Sequence, residues 1–91
     1  MSIALGGSGA QPSSHSVALS WDPSTSVVIG YYIYRVLADG TCAKLNSAPV
    51  VLTDYTDTKV QSGQTYTYVV TAVDASNVES DYSDPVLATI P

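Results

Sequence analysis

The run Thr65-Tyr66-Thr67-Tyr68-Val69-Val70-Thr71-Ala72-Val73 constrains the fold more than any other stretch of the chain. It is rich in β-branched and aromatic residues, and its pattern has period two rather than the helical 3.6. An extended chain sends successive side chains to opposite faces. Tyr66, Tyr68, Val70 and Ala72 therefore share one face, and Thr67, Val69, Thr71 and Val73 share the other. Similar runs recur. Val17, Leu19 and Trp21 line one face of residues 15–21, between the small Ser16, Ala18 and Ser20. Near the end, Val86, Ala88 and Ile90 alternate with Leu87 and Thr89. Almost nothing in the chain has a helical pattern.

Turn chemistry separates the runs. Asp22-Pro23-Ser24 stops the strand that ends at Trp21, because proline fixes φ and Asp favours turn starts. Asp39-Gly40 marks a hairpin after the tyrosine-rich segment. Ser62-Gly63 precedes the Thr65 strand, Asp74-Ala75-Ser76-Asn77 follows it, and Pro85 stands where the last strand begins. Short strands at this spacing predict an all-β sandwich. With 91 residues, the chain makes one domain. Residues 14–91 are assigned to it. Residues 1–13 contain Ile3-Ala4-Leu5 and a Gly/Ser-rich stretch, and read as a linker, as a first strand, or as the tail of a preceding domain.

Charge narrows the partners. The net charge is −5, and Arg35, Lys44 and Lys59 are the only cations, so no basic patch can form. Nucleic acid and anionic membrane surfaces both require clustered Lys and Arg, and are disfavoured. No apolar run approaches the roughly 20 residues that span a bilayer. The weakly charged, Ser- and Thr-rich composition fits a secreted or cell-surface protein, with any signal sequence outside this chain. Cys42 has no partner for an internal disulfide and reads as a small, half-buried side chain near a turn.

Groups for chemistry are scarce. His15 is the one histidine and reads as a surface residue; His15 and Cys42 are too few for a zinc site. Two Asp-Tyr-x-Asp tetrads, Asp54–Asp57 and Asp81–Asp84, suggest calcium. Carboxylates at i and i+3 of an extended chain point to opposite faces, however, so solvated strand-end acids are expected. Catalytic residues, cofactor and metal are all expected to be absent.

The ordered set of motifs resembles the fibronectin type III family over about residues 15–90. Val17-x-Leu19-x-Trp21-x-Pro23 is similar to the family's strand B. Gly30-Tyr31-Tyr32-Ile33-Tyr34-Arg35 is similar to strand C, and Tyr55-Thr56-Asp57 with Val60 to strand E. Tyr66 occupies the tyrosine-corner position on the approach to strand F, and Ser80–Val86 is similar to the entry of strand G. The Gly-Tyr-x-Ile-Tyr-Arg and Tyr-x-Val-Val-Thr-Ala-Val-Asp motifs match the bacterial extracellular type. Ser62 stands where the family often has proline, Leu5–Gly9 resembles the closing strand of bacterial Ig-like repeats, and no Arg-Gly-Asp tripeptide occurs. The resemblance implies an immunoglobulin-like sandwich of about seven antiparallel strands in two sheets. It implies a core containing Trp21, Tyr31, Ile33, Tyr66, Tyr68 and Val70.

By the same pattern Tyr32 and Tyr34 face outward. With Thr67, Val69 and Thr71 of strand F and Leu87 of strand G, they form the candidate contact surface. Cross-strand stabilisation of the sheet accounts for the same residues without a ligand. The implied function is a monomeric, non-catalytic spacer or interaction module of a larger extracellular bacterial protein, with neighbouring domains as partners. The alternatives are a carbohydrate-binding module that stacks polysaccharide on Tyr32 and Tyr34, and a protein adhesion module. Trp21→Ala is expected to cost about 3–5 kcal/mol, read as a shift of the urea unfolding midpoint; a loss below about 1 kcal/mol would place Trp21 outside the core.

Overall fold

A computed structural model describes residues 15–90 and the backbone of residues 3–5. Seven strands are present: β1 (Ile3–Leu5), β2 (Val17–Trp21), β3 (Gly30–Val36), β4 (Cys42–Lys44), β5 (Asp54–Asp57), β6 (Thr65–Val73) and β7 (Val86–Thr89). They form two antiparallel sheets, ordered β1-β2-β5 and β4-β3-β6-β7. Ile3–Leu5 pairs with β2, Ile3 opposite Trp21 and Leu5 opposite Leu19. The linker reading of residues 6–14 falls outside the described residues. No helix occurs among the described residues, and so none crosses a membrane.

The long run that dominates the sequence is the centre of the larger sheet. β6 pairs with β3 along its length, Gly30 opposite Val73 and Val36 opposite Thr67, and with β7 on its other side. Between the sheets lie Val17, Leu19 and Trp21 of β2, Tyr31 and Ile33 of β3, Tyr68, Val70 and Ala72 of β6, then Ala88 and Ile90. Tyr66 is half-buried and packs against this cluster. The Trp21 and Tyr31 rings meet edge-on at 5.5 Å, an arrangement favoured by the ring quadrupoles.

The turns follow their local chemistry. Gly40 adopts φ +87° in the β3–β4 hairpin, and the Asp39 carboxylate accepts from the Thr41 amide at 3.0 Å. Asn77 adopts φ +65° in the loop after β6, where Asp74 Oδ1 accepts from the amides of Ser76 and Val78. β4, three residues long, is absent from the sequence reading. Beyond it, the Asn46 side chain takes the place of a strand. Its Oδ1 accepts from the Ile33 amide at 2.8 Å, and its Nδ2 donates to the carbonyls of Tyr31 and Ala48. The chain then returns to β3, where Tyr31 and Val50 exchange backbone bonds of 2.8 and 3.0 Å.

This return explains Gly30. A Cβ there would lie 2.7 Å from Pro49 Cβ and 2.8 Å from the Val50 carbonyl oxygen. Gly30→Ala is therefore expected to push residues 49–50 off the edge of β3 and destabilise the domain by about 1–3 kcal/mol. Hydrogen exchange at the Tyr31 and Val50 amides checks this, because both should lose protection ahead of the β3–β6 amides.

Candidate functional site

Two polar clusters and one exposed ring account for most of the chemistry on the molecule. The first cluster joins the two sheets. Arg35 follows Tyr31 and Ile33 in the alternation of β3, so it projects to the core side at the end of the sheet. Its Nη2 donates to Asp57 Oδ2 on β5 of the opposite sheet and to the Lys59 carbonyl at 3.1 Å. The Tyr68 hydroxyl donates to the same Asp57 oxygen at 2.7 Å, and the Lys59 amide donates to Asp57 Oδ1. The guanidinium lies over the Tyr66 ring, 4.6 Å from its centroid, and the Tyr66 hydroxyl accepts from the Gln61 amide at 2.9 Å.

Asp57 is 5% exposed. This corrects the expectation of solvated strand-end acids for one member of the tetrads; Asp54, Asp81 and Asp84 are exposed. Burial pushes the Asp57 carboxyl up, but the Tyr68 hydroxyl, the Arg35 guanidinium and the Lys59 amide outweigh it and hold the group below its ordinary value. Burial and the Asp57 carboxylate push the Tyr68 phenol up, well clear of physiological pH.

The second cluster covers the outer face of the larger sheet. The structure places Tyr32, Tyr34, Val69 and Thr71 together on that face, as the alternation of β3 and β6 requires, but not as an open surface. Tyr32 and Tyr34 are each 8% exposed, and Val69 and Thr71 are also buried. Val73 completes the cluster, with Val36 and Cys42 against it. The cover comes from two directions. Lys44 of β4 lays its ammonium 3.6 Å from the Tyr32 centroid. From the loop after β6, Glu79 accepts hydrogen bonds at Oε1 from the Tyr34 hydroxyl and from Thr71 Oγ1, the latter at 2.7 Å. Its Oε2 stands 3.8 Å from Lys44 Nζ. The Tyr34 hydrogen bond, with help from Thr71 and Lys44, holds the Glu79 carboxyl below its ordinary value against the opposing effect of burial.

A sugar ring cannot stack on Tyr32 or Tyr34 without displacing Lys44 and Glu79. Of the remaining surface candidates, Leu87 is exposed and Thr67 half-buried at the far end of the face. Glu79 is absent from the sequence reading. A signal was available, since it is the chain's one glutamate and follows the left-handed Asn77 turn by two residues.

No group of three or more His, Cys, Asp or Glu side chains that could hold a metal ion occurs among the described residues. Cys42 is half-buried and unbridged.

The two sheets, their strand order and the Tyr66 corner define an immunoglobulin-like β-sandwich. The fibronectin type III domain model matches residues 7–89, and the chain belongs to that family. It is 41% identical over 70 residues to an amylopullulanase of Thermoanaerobacterium thermosulfurigenes, an alignment that takes in 72% of this chain and 4% of the relative. The chain thus spans a small fraction of that relative's length. Among solved structures it resembles an Fn3-like protein from Clostridium thermocellum, with a TM-score of 0.74, 27% identity, and coverage of 97% of this chain and 88% of the other. It also resembles part of a beta-1,2-glucanase from Parabacteroides distasonis, with a TM-score of 0.74, 28% identity, and coverage of 99% and 13%. In the amylopullulanase and the glucanase the matching region is one part of a longer chain.

The depressed Asp57 carboxyl sets an acid limit. The folded value lies below the unfolded one, so its contribution is complete above the unfolded carboxylate value of about 3.9 and is lost as pH falls through the folded value. Urea titrations from pH 6 to pH 2 should show stability falling across that window. Asp57→Ala should lose about 3 kcal/mol near neutrality and show a flatter acid limb.

Proposed function

We propose that this chain is a non-catalytic spacer and interaction module of a larger extracellular bacterial glycoside hydrolase. The observation that carries the reading is the path of the chain. β1 begins opposite Trp21, at the pole where β3 starts. β7 ends opposite the start of β6, at the other pole, where the Ile90 amide donates to the Gln64 carbonyl at 2.8 Å. A polypeptide passing through the domain enters at one end and leaves at the other of a body whose longest extent is 42 Å.

The entry pole also suits contact with a neighbour. Val27, Ile29, Val51, Leu52 and Val78 are exposed in the loops gathered there by the Trp21–Thr53, Ile29–Val73 and Asp74–Val78 backbone bonds. The amylopullulanase relative supports the glycoside hydrolase context, and the acidic, weakly charged composition supports an extracellular one. The absence of catalysis is supported by the state of the two carboxylates that are engaged by side chains. Asp57 is held by Arg35 and Tyr68, and Glu79 by Tyr34 and Thr71, so neither is poised as an acid or base.

Donor and acceptor fluorescent domains fused to the two ends test the reading. A rigid spacer gives one narrow distance distribution that persists until the domain unfolds. A broad distribution, or release of reducing sugar from pullulan by the isolated chain, overturns it.

A further inference from the structure

Of the seven tyrosines, Tyr82 alone has an exposed ring, at 56%. Its position is fixed all the same. The ring meets Tyr34 edge-on, with centroids 5.4 Å apart and planes at 83°. Partial burial, the adjacent Cys42 thiol and Glu79 push its phenol up. The segment on either side is clamped to β6. The Ser80 amide donates to the Ala72 carbonyl at 2.7 Å and the Ser83 amide to the Val70 carbonyl at 2.9 Å. The hydroxyls of Ser80 and Ser83 accept from the amides of Ala72 and Val70. A ring held this way loses little freedom when something stacks on it.

Tyr82 forms one wall of a groove of about 530 Å³, which Asp22, Ser24, Thr25, Ser80 and Asp81 also line. Asp22 and Asp81 are exposed, and neither carboxylate makes a hydrogen bond or ion pair among the described residues. No cation lines the groove. A positioned, exposed aromatic residue lining one groove with two carboxylates that are unpaired among the described residues suits a ligand with an apolar face and many hydroxyl donors. The C–H face of a pyranose stacks on such a ring while its hydroxyls donate to the carboxylates. The same carboxylates, on a chain of net charge −5, repel a polyanion.

We propose that the groove between residues 22–25 and 80–83 binds a strand of neutral polysaccharide, with Tyr82 as the stacking ring and Asp22 and Asp81 as hydroxyl acceptors. This rests on the reading of the chain as a module of a glycoside hydrolase, and it transfers recognition from the covered Tyr32–Tyr34 face to a different residue.

Native electrophoresis of the 91-residue chain through gels containing pullulan, amylose or polygalacturonate tests it. Pullulan or amylose should retard the chain and polygalacturonate should not. Tyr82→Ala should weaken the retardation about tenfold, Tyr82→Phe should preserve it, and Leu37→Ala, an exposed change in the β3–β4 hairpin outside the groove, should leave it unaltered. Thermal unfolding verifies that each variant is folded. Should Tyr82→Ala fail that check, the Asp22→Ala/Asp81→Ala double variant replaces it and is expected to weaken retardation likewise. Unchanged mobility in both neutral gels, undiminished retardation of the folded groove variant, or equal retardation by polygalacturonate would overturn the proposal. None of these results alters the energy-transfer measurement, so the spacer reading stands or falls separately.

Discussion

The bond between Arg35 and Asp57 is what makes two sheets into one body at the exit pole. Elsewhere the sheets are joined mainly by apolar side chains, which are non-directional and tolerate sliding, with one longer bond of 3.3 Å from the Tyr55 hydroxyl to the Leu45 carbonyl. Here a guanidinium from β3 meets a carboxylate from β5, Tyr68 from β6 reaches the same oxygen, and Tyr66 supports the guanidinium from below. Three strands from two sheets are thereby set in one register. A buried ion pair is often no better for stability than a well-packed apolar substitute, because desolvation offsets the attraction. Its contribution here is geometric. It fixes where β5 sits relative to β3 and β6, and it makes either partner costly to remove alone.

Much of the architecture was legible in the sequence because it follows from alternation. β2, β3 and β6 stand where period-two runs predict strands, and Tyr31, Ile33, Tyr68 and Val70 point inward as their parity requires. Alternation sorts side chains between faces but is silent on what covers a face. Tyr32 and Tyr34 do lie on the outer face, yet their burial depends on Lys44 and Glu79, ten and more residues away in sequence. The same limit hid Asp57. Its tetrad differs from Asp81–Asp84, whose two acids are exposed, only by Thr56 in place of Ser83, and the partner that buries Asp57 is Arg35, which projects inward from the facing sheet. β4 and the Asn46 bridge escaped notice because three residues and one side-chain amide leave no periodic trace.

The covered outer face has a consequence for how such a domain can recognise anything. Cross-strand aromatic and β-branched pairs such as Tyr34–Val69 stabilise the central sheet, and the Lys44–Glu79 cover keeps them dry. Exposing the tyrosines to a ligand would sacrifice that packing and leave the Glu79 carboxylate without its donors. Recognition therefore falls to side chains that the strands position but do not consume. Tyr82 is such a residue, since its backbone neighbours are bonded to β6 while its ring, resting edge-on against Tyr34, stays exposed.

Charge scarcity sharpens this division. With three cations against eight carboxylates, any cation committed to structure is lost to binding, and Arg35 and Lys44 are both committed. The surplus lies entirely with acceptors, and Asp22 and Asp81, unpaired among the described residues, stand on loops rather than strands. Acceptors without cations favour uncharged donors, which is the chemistry the proposed groove beside Tyr82 relies on. A surface of this kind is also insensitive to salt, because no counterions are released when a neutral ligand binds.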